Sequence, residues 1–344
     1  MESAPFSPQG LDADQLEKEE ALVLKSIDSV QEAVKEIDFT VINEILRDIY
    51  TKFTGDISDE DRNFYFKLDE NFNIRVKYTE LINFSHYGAF ISNTTNIKAY
   101  TRDGGIIIFA REYVNSYGDT DSKTRLALLR DIIHEMLHIK SSFAEEDIAS
   151  ENLKFTSGIS PKQSRNKDET LIIHDDNKSD DFIIANEGLT ELITDAIFSE
   201  YLARSGKLKE LEQDNGSDIQ ADYIDRGALY FSGRLALVSL VSMIAEYTGV
   251  SEDKVYQAFV IEYLTGGDIM RAEIMDECKD SPEISAFLEK MKSNDLKDIV
   301  KSYSEKERNT LLDFMNKHKL VHIKAILGRD YIGETNKNRV LRKK

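Results

Sequence analysis

An α+β chain is predicted by three observations. Residues 62–112 are rich in β-branched and aromatic residues with partial alternation. The stretches on either side place apolar residues at helical spacing, and the helix that follows the β-rich region is apolar on nearly every face. The expected sheet is mixed and small, about four or five strands, and covers that apolar helix on one side before a mainly helical lobe begins.

The elements follow in order. Residues 1–10 form a flexible lead-in, and 11–53 read as helix: Leu22, Val30, Val34 and Ile37 give one apolar spacing, Ile42, Ile45, Leu46 and Ile49 another. Gly55-Asp56 ends this N-terminal helical segment, 1–56. The runs "FNIRVKYT", "GAFIS", "NIKAYT" and "GIIIFARE" are the expected strands, with Asp103-Gly104-Gly105 as a hairpin signal between the last two. "SYGDTDS", 116–122, supplies turn and N-cap residues for the apolar helix over 124–140, which completes an N-lobe spanning 57–142. Residues 143–181 are polar, with Gly158, Pro161 and "HDDNKSDD", and read as a long loop or insertion. A helical lobe, 182–344, follows. Its helices cover 182–204, 221–248 and 252–265, ending at Ser205-Gly206, Gly249 and Gly266-Gly267. Ser281-Pro282-Glu283 starts a further helix with proline at N1, and Ser304 with Glu307 forms a capping box. The tail, "NKNRVLRKK", is basic and frayed.

Charge excludes one class of partner. Lys and Arg number 44 against 63 Asp and Glu, a net −19, so no nucleic acid is expected to bind through its phosphates. No stretch approaches the ~18 apolar residues of a membrane span. The opening "MESAPFSPQGLDADQLEKEE" has neither a basic n-region nor an apolar core, so the expected address is cytoplasmic. A secreted protein lacking its leader would read the same. Cys278, the single cysteine, allows no intramolecular disulfide and is expected to be inert.

The chemistry is concentrated in "DIIHEMLHIK", 131–140. His134 and His138 stand at i and i+4 and share one helix face. Their imidazoles can grip one ion, and Glu135, about 100° round the helix, can act as general base toward a water on it. That is the physical content of HExxH, and the metal it suits is Zn2+. The alternative is a core helix with two satisfied histidines. Burying two imidazoles and a glutamate on so apolar a helix is costly without partners, and a metal is the common one. Downstream, "ANEGLTELITD", 185–195, aligns Glu187, Glu191 and Asp195 on one face of a helix; alone such a stripe reads as a solvated face, but the flanking Ile183, Leu189, Leu192 and Ile193 imply that much of this helix is buried. Gly188 costs such a helix about 1 kcal/mol relative to alanine and marks a close approach, for which the HExxH helix is the expected partner.

HEMLH followed by NEGLTE resembles the gluzincin metallopeptidases, the thermolysin-like branch of the zincins, over roughly residues 100–200. The resemblance implies a zincin-like fold and peptide-bond hydrolysis, most simply by an endopeptidase, with a peptide or protein as substrate. It makes His134 and His138 the histidine ligands, Glu135 the base and Glu187 the third ligand. It assigns Glu191 the orientation of the first histidine; the family commonly has aspartate there, so reach changes but charge does not. Forty-eight residues separate His138 from Glu187, more than in the thermolysin-like pattern. Relatives use a tyrosine or histidine after the glutamate ligand to stabilise the oxyanion. Tyr230, between Gly227 and Gly233, and Tyr223 are the candidates, with Arg226, Arg234 and His174 as alternatives. Zincins also bind extended peptides along an edge strand, and "GIIIFARE" is the candidate edge, a buried central strand being its alternative. His86, His318 and His322 carry no convincing ligand spacing. The competing functions are a catalytically silent zincin-fold binding module, which the intact Glu135 disfavours, and a structural zinc module, which the single cysteine disfavours.

Overall fold

The protein is described by a computed structural model that covers residues 13–54, 73–78, 99–102, 105–147, 152–157, 163–165, 171–172, 183–205, 227–265 and 277–292. The fold is α+β. The chain divides into two compact units, one drawn from Met1–Asp38 and Phe72–Glu135, the other from Phe39–Asn71 and Met136–Lys344.

In the first unit, α1 (Ala13–Lys35) buries Ser26, Val30 and Ala33, spaced to share one face, and packs on β1 and on a short 3-10 turn, Ala110–Tyr113. Its outer side is tied to the segment before the next helix. Lys25 Nζ donates to Asp119 Oδ2 at 2.8 Å and to the Tyr117 carbonyl at 2.9 Å, and Arg125 Nη1 donates to Glu36 at 2.7 Å. These pairs are solvent-exposed and contribute roughly 0.2–1 kcal/mol each. Gly118 sits at φ +78°, and a Cβ there would lie 3.0 Å from the Leu22 side chain, so both the turn and the packing of α1 need glycine.

A mixed sheet in the order β1-β3-β2 completes this unit among the described residues. β1 (Asn73–Lys77) runs parallel to β3 (Gly105–Phe109), pairing Asn73 with Gly105 and Lys77 with Phe109. β2 (Ala99–Arg102) is antiparallel to β3, with Arg102 opposite Gly105; Asp103 and Gly104 of the expected hairpin lie outside the described residues. "GIIIFARE" is therefore no edge. Its residues 105–109 are all buried, and both of its hydrogen-bonding sides are taken by neighbouring strands. Four consecutive apolar residues suit a strand buried on both faces, and residues 105–109 are all buried. The sheet has three described strands, fewer than expected, and "GAFIS" lies outside the described residues.

α3 (Ser122–Lys140) starts on a reciprocal cap: Thr124 N donates to Asp121 Oδ1 at 2.7 Å and Asp121 N donates to Thr124 Oγ1 at 2.8 Å. From Leu128 onward it is buried nearly all round, including Ile132, Ile133, Met136 and Leu137. The boundary between the two units falls between Glu135 and Met136, inside this one continuous helix.

In the second unit, α2 (Phe39–Thr54) buries Ile42, Ile45, Leu46, Ile49 and Tyr50 as a single stripe. The expected continuous helix over 11–53 is in fact two helices. The chain leaves helix at Glu36, and the two apolar spacings serve different units. α4 (Ile183–Arg204) lies mainly against α5 (Gly227–Thr248); α6 (Glu252–Thr265) also packs on α5, α2 packs on α4 and α6, and α7 (Pro282–Lys292) packs on α5. Each fully buried Leu or Ile in this bundle contributes about 1.5–3 kcal/mol. The ends obey local chemistry. Gly249 closes α5 at φ +72° with its N–H on the Ala245 carbonyl at 2.9 Å, and Ser281 Oγ accepts from Ile284 N at 3.3 Å beside Pro282 at N1.

Of the two readings of 143–181, a long loop or an insertion, the structureless loop does not hold: the described residues form a four-stranded antiparallel sheet, β4 (Ser142–Asp147), β5 (Asn152–Ser157), β6 (Gln163–Arg165) and β7 (Leu171–Ile172), in sequential order. The register pairs Ser142 with Ser157 and Leu153 with Arg165. These strands are short and polar, so they lack the apolar alternation that marks a strand in sequence. No described helix is long and apolar enough to cross a membrane. The Ser304–Glu307 capping box and the basic tail lie outside the described residues.

Candidate metal centre

Two helices build the centre. α3 supplies His134 and His138 one turn apart, and α4 supplies Glu187 from its first turns. One nitrogen of each imidazole and one carboxylate oxygen of Glu187 all lie within 4.8 Å of one another. His138 Nε2 and Glu187 Oε2 are 3.5 Å apart. Ligands about 2.0–2.1 Å from a tetrahedral zinc lie roughly 3.4 Å from each other, so this pair already has the separation a shared ion requires. His134 is 3% exposed and Glu135 8%, whereas the side chains of His138 and Glu187 keep 16% and 22%. His134 is thus buried, while His138 and Glu187 are partly exposed. Its donors are two imidazoles and one carboxylate without a thiolate, a set suited to a borderline cation such as zinc.

Behind the triad, α4 carries its acidic stripe inward. Glu191 and Asp195 are each 2% exposed. Both are held by Arg234 from α5, whose Nη2 donates to Glu191 Oε2 at 2.8 Å and to Asp195 Oδ2 at 2.7 Å. Such charge-assisted bonds are about twice as strong as neutral ones and fix the rotation of α4 about its axis. Arg234, a sequence candidate for the oxyanion donor, is thus engaged with these two carboxylates. Tyr256 on α6 adjoins the group: burial pushes its hydroxyl well above the usual tyrosine range, Arg234 pulls it back and Asp195 pushes it further up. Thr190 Oγ1, on the same helix, bonds the Tyr263 hydroxyl at 3.0 Å and donates to the Asn186 carbonyl.

The close approach expected at Gly188 is real, but its partner is α5 and not the HExxH helix. A Cβ on Gly188 would lie 2.2 Å from the Gly233 carbonyl oxygen and 2.9 Å from Arg234 N. Helix meets helix backbone to backbone there.

Of the remaining sequence candidates, Tyr230 falls on α5, one turn before Arg234, with its side chain outside the described residues. Tyr223, Arg226, His174, His86, His318 and His322 also lie outside them. Cys278 is buried, and burial with Glu277 nearby pushes its thiol pKa up, consistent with an inert residue. Three residues escaped sequence reasoning. Tyr256 and Tyr263 sit in an apolar helix and read as core. Asp131, whose Oδ2 accepts from the Tyr113 hydroxyl at 2.8 Å, stands one turn before His134 and had only that spacing to mark it. No protein-family model, no curated protein and no solved structure matches this chain.

Proposed function

We propose that the protein is a zinc-dependent metallopeptidase of gluzincin type with a zincin-like fold. The observation that carries the reading is the convergence of His134, His138 and Glu187 from two separate helices, beside a buried glutamate at the second position of HExxH. A mixed sheet before the HExxH helix and a helical lobe after it support the fold. His134, His138 and Glu187 would hold the ion. Bound zinc supplies Lewis acidity toward a carbonyl oxygen and lowers the pKa of water.

The remaining steps belong to this chain's own residues. Glu135 would take the proton from the attacking water and pass it to the leaving amine. Arg234 holds the buried carboxylate of Glu191, to which the resemblance gives the orientation of the first histidine. Tyr230, on α5 one turn before Arg234, is the oxyanion donor of choice, with Tyr223 as the second candidate. The substrate is a peptide or protein segment. With a net charge of −19, the chain attracts basic segments over a long range and repels polyanions such as nucleic acid.

The test is hydrolysis of a mixed peptide library by zinc-loaded protein, with Glu135→Gln as control. Cleavage that disappears in Glu135→Gln while zinc is retained supports the peptidase. Zinc bound without cleavage would make the protein a binding module on this fold, and no bound metal would overturn the site itself.

A further inference from the structure

We propose that the contact between α4 and α5 is a positioning device for the metal, with Gly188 and Arg234 as its positioning residues. This inference rests on the metal site proposed above. Glu187, the only ligand from α4, precedes Gly188 directly in sequence, and Gly188 is where α4 meets α5 with no side chain between them.

Glycine here allows close approach. A methyl group at 188 would stand 2.2 Å from the Gly233 carbonyl oxygen and 2.4 Å from its carbon. Ordinary carbon–oxygen contact begins near 3.3 Å, so α4 and α5 would have to separate by about 1 Å. The obstructing atoms are helix backbone, which cannot rotate away as a flexible side chain could. One and two turns further along α4, Glu191 and Asp195 are pinned to Arg234, the residue that follows Gly233. The glycine contact sets the distance between the helices, and the double ion pair sets the rotation of α4. Together they determine where the Glu187 carboxylate lies.

Metal coordination is intolerant of such displacement, since ligand distances hold to within about 0.2 Å. A 1 Å shift beside a ligand exceeds that several-fold. Changes in the groups that support ligands typically weaken metal binding by about 10–100-fold, and Gly188→Ala is expected in that range although it removes no ligand. Asp195→Asn, which relaxes the rotational lock eight residues from Glu187, is expected to weaken binding by at least about 3-fold.

The experiment measures zinc affinity by competition with a chromophoric chelator for wild type, Gly188→Ala, Asp195→Asn and Leu264→Ala. Leu264 is a buried α6 residue that is neither a ligand nor part of the Gly188–Gly233 contact or the Arg234 ion pairs; its loss lowers the melting temperature, and its variant controls for general destabilisation. All titrations are run well below each metal-free melting temperature, and each variant is also loaded with cobalt to read its visible ligand-field bands. The expected result is weakened zinc binding and altered cobalt bands in Gly188→Ala and Asp195→Asn, with wild-type values in Leu264→Ala. Wild-type affinity in both α4 variants, or equal weakening in Leu264→Ala, overturns the inference and leaves the metal site standing. Should Gly188→Ala fail to fold, Asp195→Asn decides by the same criterion. A wild-type protein that binds neither zinc nor cobalt overturns the metal site, and the positioning role falls with it.

Discussion

Replacing Arg234 by alanine should be among the most damaging single changes in the helical bundle. One guanidinium nitrogen serves two carboxylates, Glu191 Oε2 at 2.8 Å and Asp195 Oδ2 at 2.7 Å, and the three side chains are only 14%, 3% and 3% exposed. At an effective dielectric near 20, each contact corresponds to about 6 kcal/mol of Coulomb attraction. Desolvation offsets most of that, and removing one partner of a buried pair costs about 3–5 kcal/mol in practice, chiefly because the abandoned charge stays buried. With an unfolding entropy of about 2.1 cal/mol/K per residue, a chain of 344 residues loses about 1.4 °C per kcal/mol, so Arg234→Ala should melt roughly 4–7 °C below wild type by circular dichroism. Arg234→Met combined with Glu191→Gln and Asp195→Asn removes every charge, so it should recover more than half of the loss. A single variant within about 2 °C of wild type, or a triple variant no better than the single, would refute the assignment of a buried charge cluster.

Other predictions concern separate parts of the chain. Asp121→Ala removes the cap of the HExxH helix and should cost about 1 kcal/mol in urea unfolding, with Asp121→Asn close to wild type. Gly249→Ala meets no atom within 4 Å, so its cost is conformational strain at φ +72° alone, about 1 kcal/mol by the same assay. A thiol reagent should leave Cys278 unmodified in native protein and label it fully in denaturant, because burial both blocks access and disfavours the thiolate. Glu135→Gln should retain zinc while losing peptide hydrolysis by about 10²–10⁴-fold, the usual contribution of a general base.

The candidate site was legible because HExxH fixes geometry locally. Two residues four apart on a helix must share a face, and Glu187 was added by the resemblance of NEGLTE to the gluzincin pattern, since its spacing to Glu191 and Asp195 alone would equally fit a solvated face. Helix ends were equally local: Gly249 and Ser281-Pro282 stop and start helices where the sequence says they should. What escaped depends on distant pairing. Neither the central position of β3 nor the partner of Gly188 can be read from period alone, since both depend on which segment arrives from elsewhere in the chain. The β4–β7 sheet was missed because its strands are two to six residues long and polar, the composition of a loop. The role of Arg234 was likewise invisible, as a cation 39 residues from Asp195 and 43 from Glu191 carries no sequence mark of the pairs it forms.

The central claim is that His134, His138 and Glu187 hold one divalent ion. The most direct measurement is metal content per chain by mass spectrometry after dialysis of zinc-loaded protein, for wild type, His138→Ala and Glu187→Ala. One zinc per wild-type chain, lost in His138→Ala and largely lost in Glu187→Ala, is the predicted result. Wild-type protein that retains no zinc, or variants that retain as much as wild type, would contradict it.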